Sequence, residues 1–175
     1  MQEIIDKYKN VALSDKQVLR LVDGKANIIL YPELHRYNHI DEILDPYGAC
    51  FLLYEIQKNY GHWCCLFKLN DNEIEFFDPY NGFIDSQIEY IPYNFRVESN
   101  QAIPYLSYLL LSSPYELSYN NYKFQKMGNN IKDCGRWCAL RLILRDLSLE
   151  EFKYLFYGKY SDDLVTWVTM NKAGF

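Results

Sequence analysis

The sequence predicts a single α+β domain, on three observations. Residues 49–78 hold three short runs rich in strand formers, with turn residues between the last two. Helix-type runs lie on both sides of them, and two of these open on Ser with Gln or Glu three residues later. The 175 residues contain no Gly/Ser-rich linker, internal repeat or low-complexity segment, so one domain spans 1–175.

Each element follows from local signals. Ser14 and Gln17 form a capping box ahead of "VLRLV", which places a helix there. "NIILYPEL" (27–34) is short and mixed, and Pro32 limits any strand. "IDEIL" (40–44) supports one or two helical turns. "ACFLLYEI" (49–56), "HWCCLFKL" (62–69) and "EIEFFD" (73–78) read as strands, and "NDN" (70–72) turns the chain between the last two. Together they predict an antiparallel meander. "AIPYLSYLLL" (102–111) is ambiguous by period and reads as helix after Pro104. Residues 133–147 read as helix, Ser148 with Glu151 caps another at "EEFKYLFY", and 162–170 form the last. The ending "NKAGF" reads as a frayed tail.

Composition narrows the function classes. Apolar residues make up 49% and charged residues 23%, as in soluble globular proteins. The 17 Tyr and 10 Phe can serve a packed core or a binding surface, and the sequence does not separate these uses. The net charge of −5, with no stripe of Lys and Arg, argues against nucleic acid as a main partner. No apolar run is long enough to span a membrane, and "MQEIIDKYKN" lacks a signal peptide's apolar stretch. Five Cys without framework spacing predict free thiols in a reducing compartment.

One stretch carries chemistry. In "KDCGRWCALRLILRDL" (132–147), Cys134 and Gly135 head a helical run. Unpaired N–H groups and the helix dipole at such a start favour a thiolate. The plainer account is a small buried hydrophobe. A cysteine nucleophile also needs a base, and the base needs an orienting group. His35 and His39 lie in a polar stretch that reads as solvated loop. His62 instead opens a predicted strand, and Asp78 closes its hairpin partner. With the turn near 70–72, the start of one strand and the end of the next share one sheet edge. Pro79 then stops the pairing, having no N–H to donate. Taken singly, His62 is as well explained as a satisfied core histidine, and Asp78 as a turn former in "DPYNG". Their joint occurrence, in the order His, Asp, Cys, favours a site. Cys64 and Cys65 beside His62 raise the question of a metal. Adjacent strand residues point apart, and no second Cys/His pair has finger-like spacing, so neither metal nor cofactor is expected. Cys138, one helical turn after Cys134, reads as core.

"GHW", "FFDPYNG" and a Gln upstream of "DCGRW" together resemble the clan of cysteine proteases that holds adenovirus protease and the SUMO-specific proteases. The resemblance is closer to the maturation proteases of virophages, polinton-type elements and related DNA viruses. It covers roughly 25–147 and rests most on 61–63, 77–82 and 134–137. It implies a mixed central sheet flanked by helices, with the nucleophile at the N-terminus of a central helix. Papain-like enzymes place the cysteine first, so the chain order argues against them.

The resemblance implies roles. Cys134 would be the nucleophile, His62 the general base and acid, and Asp78 the group that orients His62. Gln125 would donate to the oxyanion, with the Cys134 N–H as second donor. Gln125 lies nine residues before Cys134 (134 − 125), further than in the family's usual pattern, and Asn129 or Asn130 are alternative amides. Trp63 matches a tryptophan that roofs a narrow substrate channel, although strand alternation turns it away from His62, which suits core packing equally. Gly135 would permit close approach at the helix start. The implied activity is endoproteolysis of capsid or virion precursors after small residues, in the virion and the infected cell. An activating peptide is a possible partner, as for adenovirus protease, while the acidic balance argues against activation by DNA. The alternatives are an isopeptidase for ubiquitin-like modifiers, which needs a surface of about 800 Å², and an inactive capsid-associated adaptor.

Overall fold

A computed structural model describes residues 1–174. Five strands, β1 (Asn27–Leu30), β2 (Ala49–Gln57), β3 (Tyr60–Asn70), β4 (Glu73–Phe77) and β5 (Glu116–Tyr119), form one sheet in the order β1-β2-β3-β4-β5. β2, β3 and β4 are the expected antiparallel meander. β1 and β5 join its two edges in parallel, so the sheet is mixed. The helices are α1 (Gln2–Lys9), α2 (Asp15–Leu21), α3 (Asp41–Leu44), α4 (Tyr93–Glu98), α5 (Tyr105–Leu111), α6 (Cys134–Ile143), α7 (Leu149–Leu155) and α8 (Ser161–Ala173). Short 3-10 turns cover Tyr31–Arg36 and Ser86–Tyr90. Both capping boxes form, at the heads of α2 and α7.

Helices cover both faces of the sheet, which is why β3 reads as a continuous apolar run. Its alternate residues divide between two cores. Trp63, Cys65 and Phe67 pack with side chains from α2, α6, α7 and α8. Cys64 and Leu66 pack on the other face with α3, α5 and the 3-10 turns. Each large apolar side chain buried this way contributes about 1.5–3 kcal/mol. Phenylalanine mostly serves the core, where Phe124, Phe152 and Phe156 pack around the fully buried Trp137 and Phe77 packs on Phe124 and Phe152. Tyrosine goes both ways: Tyr31 and Tyr54 stack in the second core, while Tyr90, Tyr93, Tyr154 and Tyr157 are exposed.

Three expectations need correction. The helix at 133–147 ends at Ile143. Arg141 pairs in bidentate fashion with Glu75 of β4 (2.7 and 2.9 Å), and two further N–H groups bond the carbonyls of Leu144 and Leu147. That guanidinium gathers the chain into a turn where local period predicts more helix. The ending is not frayed up to Gly174: Ala173 is fully buried and Gly174 is a left-handed cap after α8, while Phe175 lies outside the described residues. α1, α4 and β5 were not expected. α1 buries only Ile5, α4 has no fully buried residue, and β5 is a four-residue strand, "ELSY", with no buried residue.

Candidate active site

β3 outruns β4 at one end of the sheet. The last β3–β4 pair is Cys65 with Phe77, so His62 and the chain from Asp78 to Tyr80 lie together beyond the ladder. The His62 Nε2–H donates to Asp78 Oδ1 at 2.7 Å, inside the protein. This leaves Nδ1 as the nitrogen free to exchange a proton.

Asp78 is held on every side. The Tyr80 backbone N–H donates to Oδ1 (2.8 Å) and Gln87 Nε2 to Oδ2 (2.7 Å). Its main chain is clamped by Asn120, which accepts from the Asp78 N–H (2.9 Å) and donates to the Asp78 carbonyl (2.7 Å). The Tyr80 ring stacks on the His62 ring at 4.6 Å and 15°. Gly82 closes the cradle, because a Cβ there would lie 2.3 Å from Asp78 Oδ2.

Burial opposes charge on His62, yet the Asp78 carboxylate outweighs it and holds the imidazole well above its usual range. Cys64 also lies near the ring, but burial pushes its own thiol up, so it is a neutral neighbour. Burial likewise raises Asp78, and the His62 charge with the bonds from His62, Tyr80 and Gln87 reverses this, keeping it below the usual carboxylate range. Each member of the pair therefore favours the charged form of the other.

Cys134 is the first residue of α6, and its side chain also favours the proton on His62. Nucleophile–base contacts are commonly loose until substrate binds. Cys134 is 7% exposed, whereas Cys50, Cys64, Cys65 and Cys138 are fully buried. Behind it, α6 is anchored by buried polar bonds. Asp133 lies 3.1 Å from Arg136 and accepts from Thr166, and Arg136 donates to Thr169 of α8. Burial pushes Asp133 up to about 7, against the pull of Arg136.

Gln125 is fully buried and pinned to the same edge, since its backbone N–H and that of Phe124 both donate to the Pro79 carbonyl. Its Nε2 donates to the Tyr80 hydroxyl (3.2 Å) and the Ile131 carbonyl (3.3 Å), and its Oε1 has no hydrogen-bond partner among the described residues. Asn129 and Asn130 are exposed. Trp63 turns to the opposite sheet face, 4% exposed, with its indole N–H donating to the Leu13 carbonyl at 3.0 Å. It is a wall of the core and of an adjoining cavity. A Cβ on Gly135 would meet Val18 Cγ1 at 2.9 Å and Trp63 Cδ1 at 3.1 Å, so glycine lets α6 seat on β3. His35 and His39 are exposed.

His62, Cys64 and Asp78 place donor atoms within 4.8 Å of one another, a set that could hold a metal. Cys65, the other thiol weighed with His62, lies on the opposite face. His62 Nε2 and Asp78 Oδ1 are already bonded to each other, and a structural zinc takes four ligands.

The chain is 53% identical over 169 residues to "Uncharacterized protein V9" of Sputnik virophage, a match covering 93% of this chain and 97% of that protein. The chain belongs to that protein's family. No model of a described protein family matches it.

Tyr80, Gly82, Gln87 and Asn120 are members of the candidate site that the sequence did not single out. Tyr80 and Gly82 had a signal, since both lie in "DPYNG" around Asp78. Burial, then Cys134, pushes the Tyr80 phenol up to about 12, so it stays a neutral donor and acceptor. Gln87 and Asn120 had none, because they reach Asp78 from a 3-10 turn and from the end of β5.

Proposed function

We propose that this protein is a cysteine endopeptidase of the adenain-like fold, serving virion maturation by cutting capsid or virion precursor proteins. The observation that carries the reading is the buried 2.7 Å bond between His62 and Asp78 at the sheet edge where Cys134 heads α6. The relative from a virophage supports a viral setting.

In this mechanism Asp78 favours a charged imidazole, so the Cys134 thiol gives its proton to His62 Nδ1. The thiolate sulfur bonds to a peptide carbonyl carbon, and the carbonyl π electrons move to oxygen. Gln125 Nε2 and the Cys134 N–H donate to that oxyanion. Both Gln125 bonds are long, so its amide can turn toward the new charge. The C–N bond then breaks, and His62 returns its proton to the leaving amine. His62 next takes a proton from water, whose oxygen displaces the sulfur, and the thiol is restored. The close seating of Gly135 against Trp63 leaves little room beside the thiol, which favours Gly or Ala next to the scissile bond.

Incubation with virion precursor proteins, followed by mass mapping of fragments, tests this directly. Cys134→Ala should abolish cleavage and leave the melting temperature near wild type, since it removes one small sulfur. Undiminished cleavage by that variant would sink the assignment.

A further inference from the structure

A cavity of about 570 Å³ adjoins the catalytic edge on the α6 side of the sheet. Its floor is a row across three strands, Leu30 paired with Leu53 and Leu53 with Trp63, extended by Ile28. The head of α2 contributes Leu13 and Asp15 to the lining, and Glu33 lines it as well. The cavity shares its wall with the start of α6. The position of a Gly135 Cβ is 3.1 Å from Trp63 Cδ1 and 3.5 Å from Leu13 Cβ, and the Trp63–Leu13 bond fixes those two together.

The lining is acidic, with Asp15 exposed in the first turn of α2 and Glu33 half-exposed. It contains the carboxylates of Asp15 and Glu33 and no Lys or Arg. Asp15 accepts only from the neighbouring Lys16 backbone N–H (2.7 Å), and Glu33 accepts no hydrogen bond among the described residues. An apolar floor beneath two carboxylates suits a side chain with an aliphatic stem and a cationic end.

We propose that this cavity is a specificity pocket for an arginine or lysine side chain of the protein substrate. The word substrate rests on the endopeptidase reading, but the pocket itself does not. A Leu or Phe would cover the floor and leave both carboxylates without a partner, and an acidic residue would be repelled. The net charge of −5 adds a weaker, long-range preference for basic segments.

The test is a binding selection with the Cys134→Ala protein, which removes turnover from the readout. The probe is a set of fluorescent octapeptides in a Gly/Ala/Ser background, with one randomised position stepped along the chain. Arg and Lys should be enriched at one position. The Arg peptide should bind about tenfold tighter than its norleucine counterpart, the gain expected of a charge-assisted pair. Glu33→Gln with Asp15→Asn should erase that ratio while norleucine binding persists, which also shows that the double variant folds. Enrichment of Leu, Phe or Met, no enrichment, or an Arg preference untouched by the double substitution would each overturn the proposal. The wild-type protein, given the same library, separates the two claims. Cleavage without a basic preference defeats the pocket alone, and basic selectivity in binding without cleavage supports the pocket and defeats the endopeptidase.

Discussion

A methyl group added at Gly82 would probe the proposed catalytic geometry without removing any group assigned a chemical role. The new Cβ would lie 2.3 Å from Asp78 Oδ2, 2.7 Å from Gln87 Nε2 and 2.9 Å from Ser86 Oγ. To regain an ordinary contact near 3.4 Å, the Asp78 carboxylate must yield by about 1 Å. It has nowhere free to go, being fully buried with Oδ1 bonded to His62 and to the Tyr80 N–H. Overpacking of this kind costs about 1–3 kcal/mol. For a chain of this size that is a fall in melting temperature of roughly 2–12 °C. The rate should suffer more. A misplacement of about 1 Å costs on the order of 100-fold, and complete loss of the orienting carboxylate's function sets a ceiling near 10⁴. Gly82→Ala should therefore lower kcat by about 10²–10⁴ on a precursor peptide, with KM changed little. Iodoacetamide supplies a second readout, because the other four cysteines are fully buried and label should fall on Cys134 alone. Its labelling should slow in Gly82→Ala. If the variant fails to fold, Gln87→Ala removes one bond to Asp78 without overpacking and should slow both reactions more mildly. Wild-type kcat and melting temperature in Gly82→Ala would refute the cradle.

Gln125→Ala should lower kcat by about 10²–10³ with little change in KM, the signature of a lost oxyanion donor. Asn129→Ala and Asn130→Ala, at exposed positions, should leave both near wild type, and the reverse pattern would move the oxyanion donor to that loop. Stability should also depend on pH through the His62–Asp78 pair. Asp78 is held below its ordinary value, so its contribution is complete above about pH 4 and is lost as pH falls through the lowered value. His62 is held above its ordinary value, so its contribution is complete below about pH 6.5 and is lost as pH rises through the raised one. The melting-temperature gap between wild type and Asp78→Asn should be widest between about pH 4 and 6.5 and narrow on both sides. A gap that stays constant from acid to alkali would show that the two groups are not linked as drawn.

What was legible in the sequence was what local chemistry decides. Ser14 and Ser148 announced their helices, because a capping box is complete within four residues. The shared edge of His62 and Asp78 was legible for a related reason: a turn at 70–72 fixes the register of its hairpin, and register fixes which residues meet. The helix end at Ile143 was not legible, since it depends on Arg141 meeting Glu75, 66 residues away. Gln87 and Asn120 were hidden likewise, as polar side chains whose partner on Asp78 no periodicity reveals.

"DPYNG" draws these cases together. As sequence it can be read as a turn or as part of a site, and the structure makes these one thing. The turn that Pro79 begins brings the Tyr80 N–H back onto the Asp78 carboxylate, lays the Tyr80 ring along His62, and puts the only residue without a Cβ against Asp78 Oδ2. The Pro79 carbonyl, released from the ladder, accepts from Phe124 and Gln125 and so fixes the amide proposed to meet the oxyanion. A turn former at each of these positions is thus also a constraint on His62 or on Gln125. Substitutions that merely preserve turn propensity, such as Gly82→Asn, should fold the hairpin and still displace the carboxylate.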